Sequence, residues 1–316
     1  MKQPPVIQAQ AASRLAEILQ ETVDLLEDAD LIERDQDLVA EPEPSLVQQC
    51  IELVQAGAAT EEEPVRTLHH FACTGGTVIS KCIAAMPNVR LLSELDPLSP
   101  MVRGPGAFTP TDMSTLLRNS TRPSREDTLI ELFRAQLDVA YRETLSQGGY
   151  LVVRDHPHSH FCIGSEVPQR PTVRELVGLV APTLSLVTVR NPIDSFASLK
   201  LRDWVGFTPA TFDEYCHRYL AFMDRYDGQP IMRYEDFTRD PKGEMRVACS
   251  VLQLPYFDGF ESLFPVFRIS GDSGRRTDYI STPPPRPERE DIVREAASSR
   301  NYRHLADRLG YRVETG

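Results

Sequence analysis

The feature that most constrains the fold is an alternation of short apolar runs with helical patterns, which begins at Val65. The runs are rich in Val, Leu and Ile and are bounded by turn residues, as is typical of buried strands. They are VRTLHHF, NVRLLSEL, YLVVRD, LSLVTVR and PIMRY. Helical patterns separate them at residues 77–86, 126–145 behind a Ser124 cap, 173–180 and, as a pair, 193–225. This alternation predicts an α/β fold with a parallel β-sheet of about five strands flanked by helices.

Residues 1–60 have a different pattern, and we predict that they form a helical N-terminal extension with an acidic linker. Residues 11–32 place apolar side chains at helical spacing and acidic ones on the other face, which predicts an amphipathic helix. A second helix is predicted from the capping box of Ser45 and Gln48, with Gly57 as its stop. Residues 61–316 are then the α/β domain. The extension either packs on that domain or contacts a partner. One such partner would be a second copy of the chain, in a homodimer formed through these helices.

Composition limits the classes of partner. The chain has 34 Lys and Arg against 46 Asp and Glu, a net charge of -12, which argues against nucleic acid or an anionic membrane as a partner. Any anionic ligand must therefore be bound by a local site. The six cysteines form no CxxC pair, which predicts reduced thiols and a cytoplasmic protein. The longest apolar region, residues 177–189, is interrupted by Pro182, so we expect a soluble protein without a membrane span.

Open parallel sheets bind ligands at the carboxyl ends of their strands, and the first such end is followed by the turn CTGGT. A strand, this turn and a helix starting at Thr77 would aim unsatisfied backbone N–H groups and the positive end of a helix at one point. The hydroxyls of Thr74 and Thr77 lie beside them. The turn has no lysine and no GxxxxGK[ST] pattern, so it is not a Walker A motif. The pattern predicts a phosphate-binding loop, with an ordinary tight turn as the alternative.

Two further segments carry residues suited to phosphate. RNPIDSFASLK follows the strand LSLVTV and presents Arg190 as a charged fork and Ser198 as a hydroxyl donor. The alternative for Arg190 is a surface salt bridge. Near the C-terminus, RISGDSGRRTDYI carries Arg275 and Arg276 directly after Gly271 and Gly274, which is typical either of a lid over a ligand phosphate or of a solvated loop.

The segment RDHPHSHF follows the strand YLVV and contains His156, His158 and His160. Such spacing occurs in zinc sites. No matching Asp/His cluster follows in the sequence, so we favour a general base over a metal ligand. A histidine suits that role because its unperturbed pKa lies near neutrality. A histidine of this segment is therefore the candidate base.

The order of these motifs resembles the sulfotransferases that use 3′-phosphoadenosine 5′-phosphosulfate (PAPS), in particular the bacterial type with its P-loop-NTPase-like fold, over residues 65–279. The most specific element is Arg190 and Ser198 at the family's spacing, a motif that in these enzymes holds the 3′-phosphate. Arg154 and His156 match a basic residue, one spacer and the catalytic histidine. The resemblance assigns the 5′-phosphosulfate loop to Cys73, Thr74, Gly75, Gly76, Thr77 and Val78, and the late basic loop to Arg275 and Arg276.

The resemblance implies transfer of a sulfuryl group from PAPS, without a metal, to a hydroxyl or amine of a carbohydrate, lipid or small metabolite. It departs from the family at Cys73, where many members carry the loop cation that stabilises charge on the leaving oxygen. His70, Lys81 and Arg154 are candidate replacements. Two alternatives stay open: a P-loop kinase-like phosphotransferase, and a catalytically impaired nucleotide-binding or scaffold protein.

The acceptor side of the site is less defined by the sequence. Residues 94–125 form a long Pro- and Gly-interrupted connection of the kind that lines or covers a site. Arg103 within it either meets an anionic acceptor or pairs with a surface acid. Trp204 is either a wall of the acceptor pocket or part of the core.

Overall fold

The computed structural model describes residues 62–101, 108–271, 279–282 and 284–314, and five positions nearer the N-terminus. The chain divides into two units, Met1–Glu63 and Pro64–Gly316. The five positions nearer the N-terminus are helical and exposed, and Gln20 Nε2 donates a hydrogen bond to Asp24 Oδ1 at 3.0 Å. They lie within the helix predicted at 11–32. The second predicted helix, which starts at the Ser45 cap and runs through Val54, lies outside the described residues.

The second unit is built on a five-stranded parallel sheet in the order β2-β3-β1-β5-β7. Its strands are β1 (Val65–His70), β2 (Val89–Leu95), β3 (Tyr150–Asp155), β5 (Thr183–Val189) and β7 (Ile231–Arg233). They coincide with the five predicted runs, so the predicted α/β class and parallel sheet are confirmed. Two short strands, β4 (Ile163–Gly164) and β6 (Gly206–Phe207), form a separate parallel pair that the sequence did not predict.

Helices connect the strands and continue beyond the sheet. They are α1 (Gly76–Ala84), α2 (Met113–Arg118), α3 (Glu126–Ser146), α4 (Pro157–Phe161), α5 (Val173–Val177), α6 (Pro192–Leu201), α7 (Phe212–Arg225), α8 (Tyr234–Arg239), α9 (Pro241–Val251), α10 (Phe260–Leu263), α11 (Arg289–Ala296) and α12 (Arg300–Leu309). A 3₁₀ turn, Phe264–Val266, follows α10. Each helix predicted between the strands is present. The sequence did not predict α4, nor α8 and the helices that follow it.

Three local expectations are corrected. Helix α3 is preceded by Arg125 in an extended conformation without a side-chain cap, so Ser124 is not its N-cap. Helix α5 ends at Val177, earlier than predicted, although its start is secured by a capping box of Thr172 and Glu175. The connection after β2 is not a loop throughout, because Asp112 accepts a hydrogen bond from Thr115 N at 3.2 Å and caps α2.

The sheet is buried on both faces because consecutive strand residues point to opposite sides. Val152 and Leu186 pack with α1, α9 and α10 on one face. Their neighbours Val153 and Val187 pack on the other face, Val153 with α3 and α5 and Val187 with α6, α7 and α12. Because helices cover both faces, the carboxyl ends of the strands are the part of the sheet that stays open. Across the described residues no helix has the length and apolar composition needed to cross a membrane.

Candidate functional site

A cavity of about 570 Å³ opens at the carboxyl ends of the strands. Residues from the ends of all five sheet strands line it, including His70, Glu94, Arg154, Arg190 and Tyr234. The structure brings together at this cavity the predicted site residues Cys73, Thr74, Gly75, Gly76, Thr77, Val78, Arg154, His156, Arg190 and Ser198. Arg275 and Arg276 lie outside the described residues, although Gly271 and Tyr279, which flank that segment, line the cavity.

The turn between β1 and α1 is shaped by its own hydrogen bonds and glycines. Thr74 donates from both its N–H and its hydroxyl to the carbonyl of Phe71, at 3.3 and 2.8 Å, so its side chain stabilises the turn instead of facing a ligand. Gly75 has φ of 87°, and a Cβ there would lie 2.1 Å from the ring of Tyr234. A Cβ at Gly76 would lie 2.3 Å from the ring of His70. Both glycines are therefore required by close packing.

The N-terminus of helix α1 lies at the cavity. In the described structure it has no side-chain cap, and its first turn contains no acidic residue. The N–H groups at the start of a helix have no partners within it, and they carry the positive end of the helix dipole. Since Gly76, Thr77 and Val78 line the cavity, these donors are suited to a phosphate or sulfate group.

Arg190 connects the turn to the following helix. Its Nη1 donates to the carbonyl of Cys73 and to Ser198 Oγ, both at 3.3 Å. Its guanidinium also stacks on the ring of Tyr234, with Cζ 5.0 Å from the ring centroid. Arg190 and Ser198 are thus in direct contact beside the turn, and among the described residues Arg190 does not form the surface salt bridge that was the alternative for it. Both side chains line the cavity, and a guanidinium beside a hydroxyl is suited to an anion.

At the other side of α1, Arg154 and His156 are joined by an acid that the sequence did not single out. Glu94 Oε1 lies 2.7 Å from Arg154 Nη2, and Glu94 Oε2 lies 3.1 Å from His156 Nε2. Arg154 Nη2 also lies 3.5 Å from Thr77 Oγ1 at the start of α1. The carboxylate therefore orients both the candidate base and a buried cation.

The position of Glu94 depends on an irregularity of β2. The pairing with β3 shifts register between Leu92 and Leu95, and Glu94 has φ of 62°, in the left-handed region. Such a backbone conformation is unfavourable for a residue with a side chain and is concentrated at functional sites. The sequence did offer one signal, since Glu94 is an acidic residue near the carboxyl end of a predicted strand.

Asp155 lies between Arg154 and His156 and points to the opposite side of β3. Its Oδ2 accepts hydrogen bonds from His69 Nδ1 at 2.6 Å and from the hydroxyl of Tyr226 at 2.7 Å. All three side chains are buried, and the rings of His69 and Tyr226 stack at 4.2 Å. This buried network fixes the carboxyl end of β3 and therefore the positions of Arg154 and His156.

The three residues that could replace the loop cation absent at Cys73 differ in their surroundings and in their charge. Burial is the main reason that the pKa of His70 is well below its usual value, with Arg154 and His69 adding to the effect, so His70 is neutral. Its ring is held by Thr188 and Ser80. Lys81 and Arg154 both line the cavity. Of the two, Arg154 contacts Thr77 at the helix start and is the better placed to act at the turn.

The three histidines of RDHPHSHF do not converge. His156 contacts Glu94, whereas His160 stacks on Phe161 at 4.3 Å and lies 3.1 Å from the carbonyl of Pro168. His158 lies edge-on to Trp204. Within the described residues there is no group of three or more His, Cys, Asp or Glu side chains arranged to hold a metal ion.

No protein-family model and no curated protein matches the chain. Solved sulfotransferase structures match about 80% of it at low identity. The sulfotransferase domain from the curacin biosynthetic pathway is 14% identical over 80% of this chain and 100% of that one, with a TM-score of 0.49. The sulfotransferase domain from the Synechococcus PCC 7002 olefin synthase is 16% identical over 80% and 97%, with a TM-score of 0.44.

A third match is the mouse sulfotransferase SULT7A1 complexed with PAP, which is 12% identical over 79% of this chain and 90% of that one and has a TM-score of 0.38. Similarities of this size carry no argument about activity. The function has to be inferred from the residues of the cavity.

Proposed function

We propose that this chain transfers a sulfuryl group from PAPS to a hydroxyl or amine of an acceptor, with His156 as the general base. The observation that carries the proposal is the meeting, in one cavity, of the turn before α1, the Arg190–Ser198 contact and the Arg154–Glu94–His156 group. These supply two positions for anions and one base, which is the set of groups that the reaction requires.

The residues present fit a nucleotide that carries one phosphate group at its 3′ position and another at its 5′ position. The N–H groups at the start of α1 would hold the 5′-phosphosulfate, and Arg190 with Ser198 would hold the 3′-phosphate. Tyr234 packs against both positions, since it closes on Gly75 and stacks on Arg190. A ligand spanning the two positions would therefore lie against an aromatic ring.

When bound, PAPS would supply the sulfuryl group, with the acceptor oxygen bonding to sulfur as the bond to the bridging phosphate oxygen breaks. His156 would take the acceptor proton. Donation from Nε2–H to Glu94 leaves Nδ1 with a lone pair for that proton. Arg154 would stabilise the negative charge that develops on the leaving oxygen near Thr77. In the sulfotransferases that the sequence resembles, a lysine of the loop has this role. The neutral thiol of Cys73 cannot perform it.

We expect calorimetry to detect binding of 3′,5′-adenosine diphosphate without magnesium. Replacing Arg190 with alanine should weaken this binding about tenfold to hundredfold, because a charge-assisted hydrogen bond is lost. Arg125→Ala is the control, since that side chain is 83% exposed and pairs with Asp127 away from the cavity. Equal affinity of the Arg190→Ala and unmodified proteins would contradict the assignment of the 3′-phosphate.

The same titration with ATP and magnesium tests the phosphotransferase alternative. A kinase-like site would bind ATP with magnesium and not 3′,5′-adenosine diphosphate, an outcome that would overturn the proposal. The scaffold alternative, which Cys73 favours, would be supported if the bisphosphate bound but PAPS turned over with no member of a panel of phenols, sugars, sterols and amino alcohols.

Replacing Glu94 with glutamine should lower kcat about tenfold to hundredfold, because Glu94 orients both His156 and Arg154 through charged hydrogen bonds. Affinity for 3′,5′-adenosine diphosphate should stay close to that of the unmodified protein. The measurement is the initial rate of sulfation of the best acceptor of the panel, with Glu143→Gln as an exposed control. A rise in KM with unchanged kcat would instead mean that Glu94 binds the acceptor.

A further inference from the structure

The wall of the cavity next to His156 is aromatic. The ring of His156 stacks with that of His158 at 6.0 Å, and His158 meets Trp204 edge-on at 6.3 Å. The guanidinium of Arg202 stacks on the ring of Trp204, with Cζ 4.8 Å from the centroid. These four residues line the cavity in continuous contact, from the candidate base to a cation.

His158 is an uncharged part of this wall. Burial, with a smaller contribution from His156, lowers the pKa of His158 to about 4. At neutral pH its ring is therefore an apolar surface with one N–H donor. A planar ring is suited to an edge or face contact with it.

Trp204 lines the cavity and keeps much of its apolar surface exposed. It is 43% exposed, and Met101, which also lines the cavity, is 54% exposed. Large apolar side chains that line a concave site and remain exposed are typical of surfaces that a ligand covers. The sequence left Trp204 open between core and pocket wall, and the structure places it on the wall.

Arg202 forms no ion pair with any residue that the structure describes. It lies at the C-terminal end of α6, one turn beyond Ser198, and stacks on Trp204 instead of pairing with an acid. A guanidinium in this setting is a ready partner for a carboxylate or another planar anion. The wall thus combines an aromatic surface with a cation at the end away from His156.

We propose that the acceptor is a planar aromatic alcohol that carries an acidic substituent. Its ring lies against Trp204 and His158, its hydroxyl faces His156, and its acidic group pairs with Arg202. The inference rests on the proposed function and deepens it, because it selects aromatic acceptors over sugars and saturated alcohols. Stacking of the ring and pairing of the acid act together, so both groups contribute to selection.

Trp204 provides a direct test, since it is the one tryptophan of the chain. Protein saturated with 3′,5′-adenosine diphosphate is titrated with 4-hydroxybenzoate, 4-hydroxycinnamate, phenol, 1-hexanol and glucose while tryptophan emission is recorded. We expect a saturable change with the two acids at the lowest concentrations, a weaker response with phenol and none with hexanol or glucose. Saturation by glucose or hexanol without a response to the aromatic acids would overturn the inference.

Variants separate the roles of the wall residues. Arg202→Ala should weaken binding of 4-hydroxybenzoate about tenfold while leaving phenol unchanged, because only the charged hydrogen bond is lost. Arg202→Gln should behave in the same way, and Lys200→Ala on the exposed side of α6 should have no effect. If Arg202→Ala weakens 3′,5′-adenosine diphosphate as Arg190→Ala does, Arg202 belongs to the nucleotide and the inference is wrong.

Failure of this inference and failure of the proposed function give different results. If 3′,5′-adenosine diphosphate binds and the aromatic acids do not, the nucleotide assignment stands and the acceptor class is wrong. If the bisphosphate does not bind, the proposed function fails. In that case, a saturable response of the nucleotide-free protein to 4-hydroxybenzoate, weakened by Arg202→Ala, would still support an aromatic acid site on this wall.

Discussion

Replacing His156 with alanine is expected to lower kcat about 10²-fold to 10⁴-fold, the usual contribution of a positioned general base. Affinity for 3′,5′-adenosine diphosphate should hardly change, because the contacts proposed for the nucleotide come from α1, Arg190 and Ser198. The loss therefore falls on the chemical step. The measurement combines the initial rate of PAPS-dependent sulfation with calorimetry of the bisphosphate.

His304→Ala is the matched control, since His304 is exposed on α12 and does not line the cavity. It should retain the kcat of the unmodified protein. A His156→Ala protein that keeps full kcat would remove His156 from the mechanism. Comparable losses of bisphosphate affinity in His156→Ala and Arg190→Ala would mean that the base and the nucleotide site are not separate.

The second large effect concerns stability. Asp155→Ala should lower the free energy of unfolding by about 3–5 kcal/mol, because buried His69 and Tyr226 both lose the carboxylate that accepts their hydrogen bonds. Urea unfolding followed by circular dichroism measures the change. Tyr226→Phe removes one of the two bonds and should cost about 1 kcal/mol. That variant keeps the test informative if Asp155→Ala does not fold.

The control for the stability prediction is Asp138→Ala. Asp138 pairs with Arg142 on the exposed surface of α3, and breaking such a pair should cost less than about 1 kcal/mol. If Asp155→Ala cost no more than Asp138→Ala, the buried network would not be what holds the end of β3. Arg154 and His156 would then have to be positioned by Glu94 alone.

The strands and the turn before α1 were predictable because their signals are local. Apolar runs of strand length alternate with helical periodicity, and a glycine pair between a strand and a helix requires a tight turn. The carboxyl ends of parallel strands lie at one edge, so the contact of Arg190 with the turn at Cys73 followed from the topology. Helix α2 was missed because Pro and Gly around it dominate the local pattern.

The sequence therefore determined the fold class, the place of the cavity and most of the residues proposed to bind anions there, since each depends on periodicity or on short-range turn chemistry. The tertiary structure alone decided that Glu94 joins Arg154 and His156. That contact depends on a register shift in β2 and on a left-handed backbone at Glu94, which no periodic pattern encodes. The tertiary structure likewise placed Trp204 on the wall of the cavity, because the position of a side chain after a helix depends on the packing of distant elements.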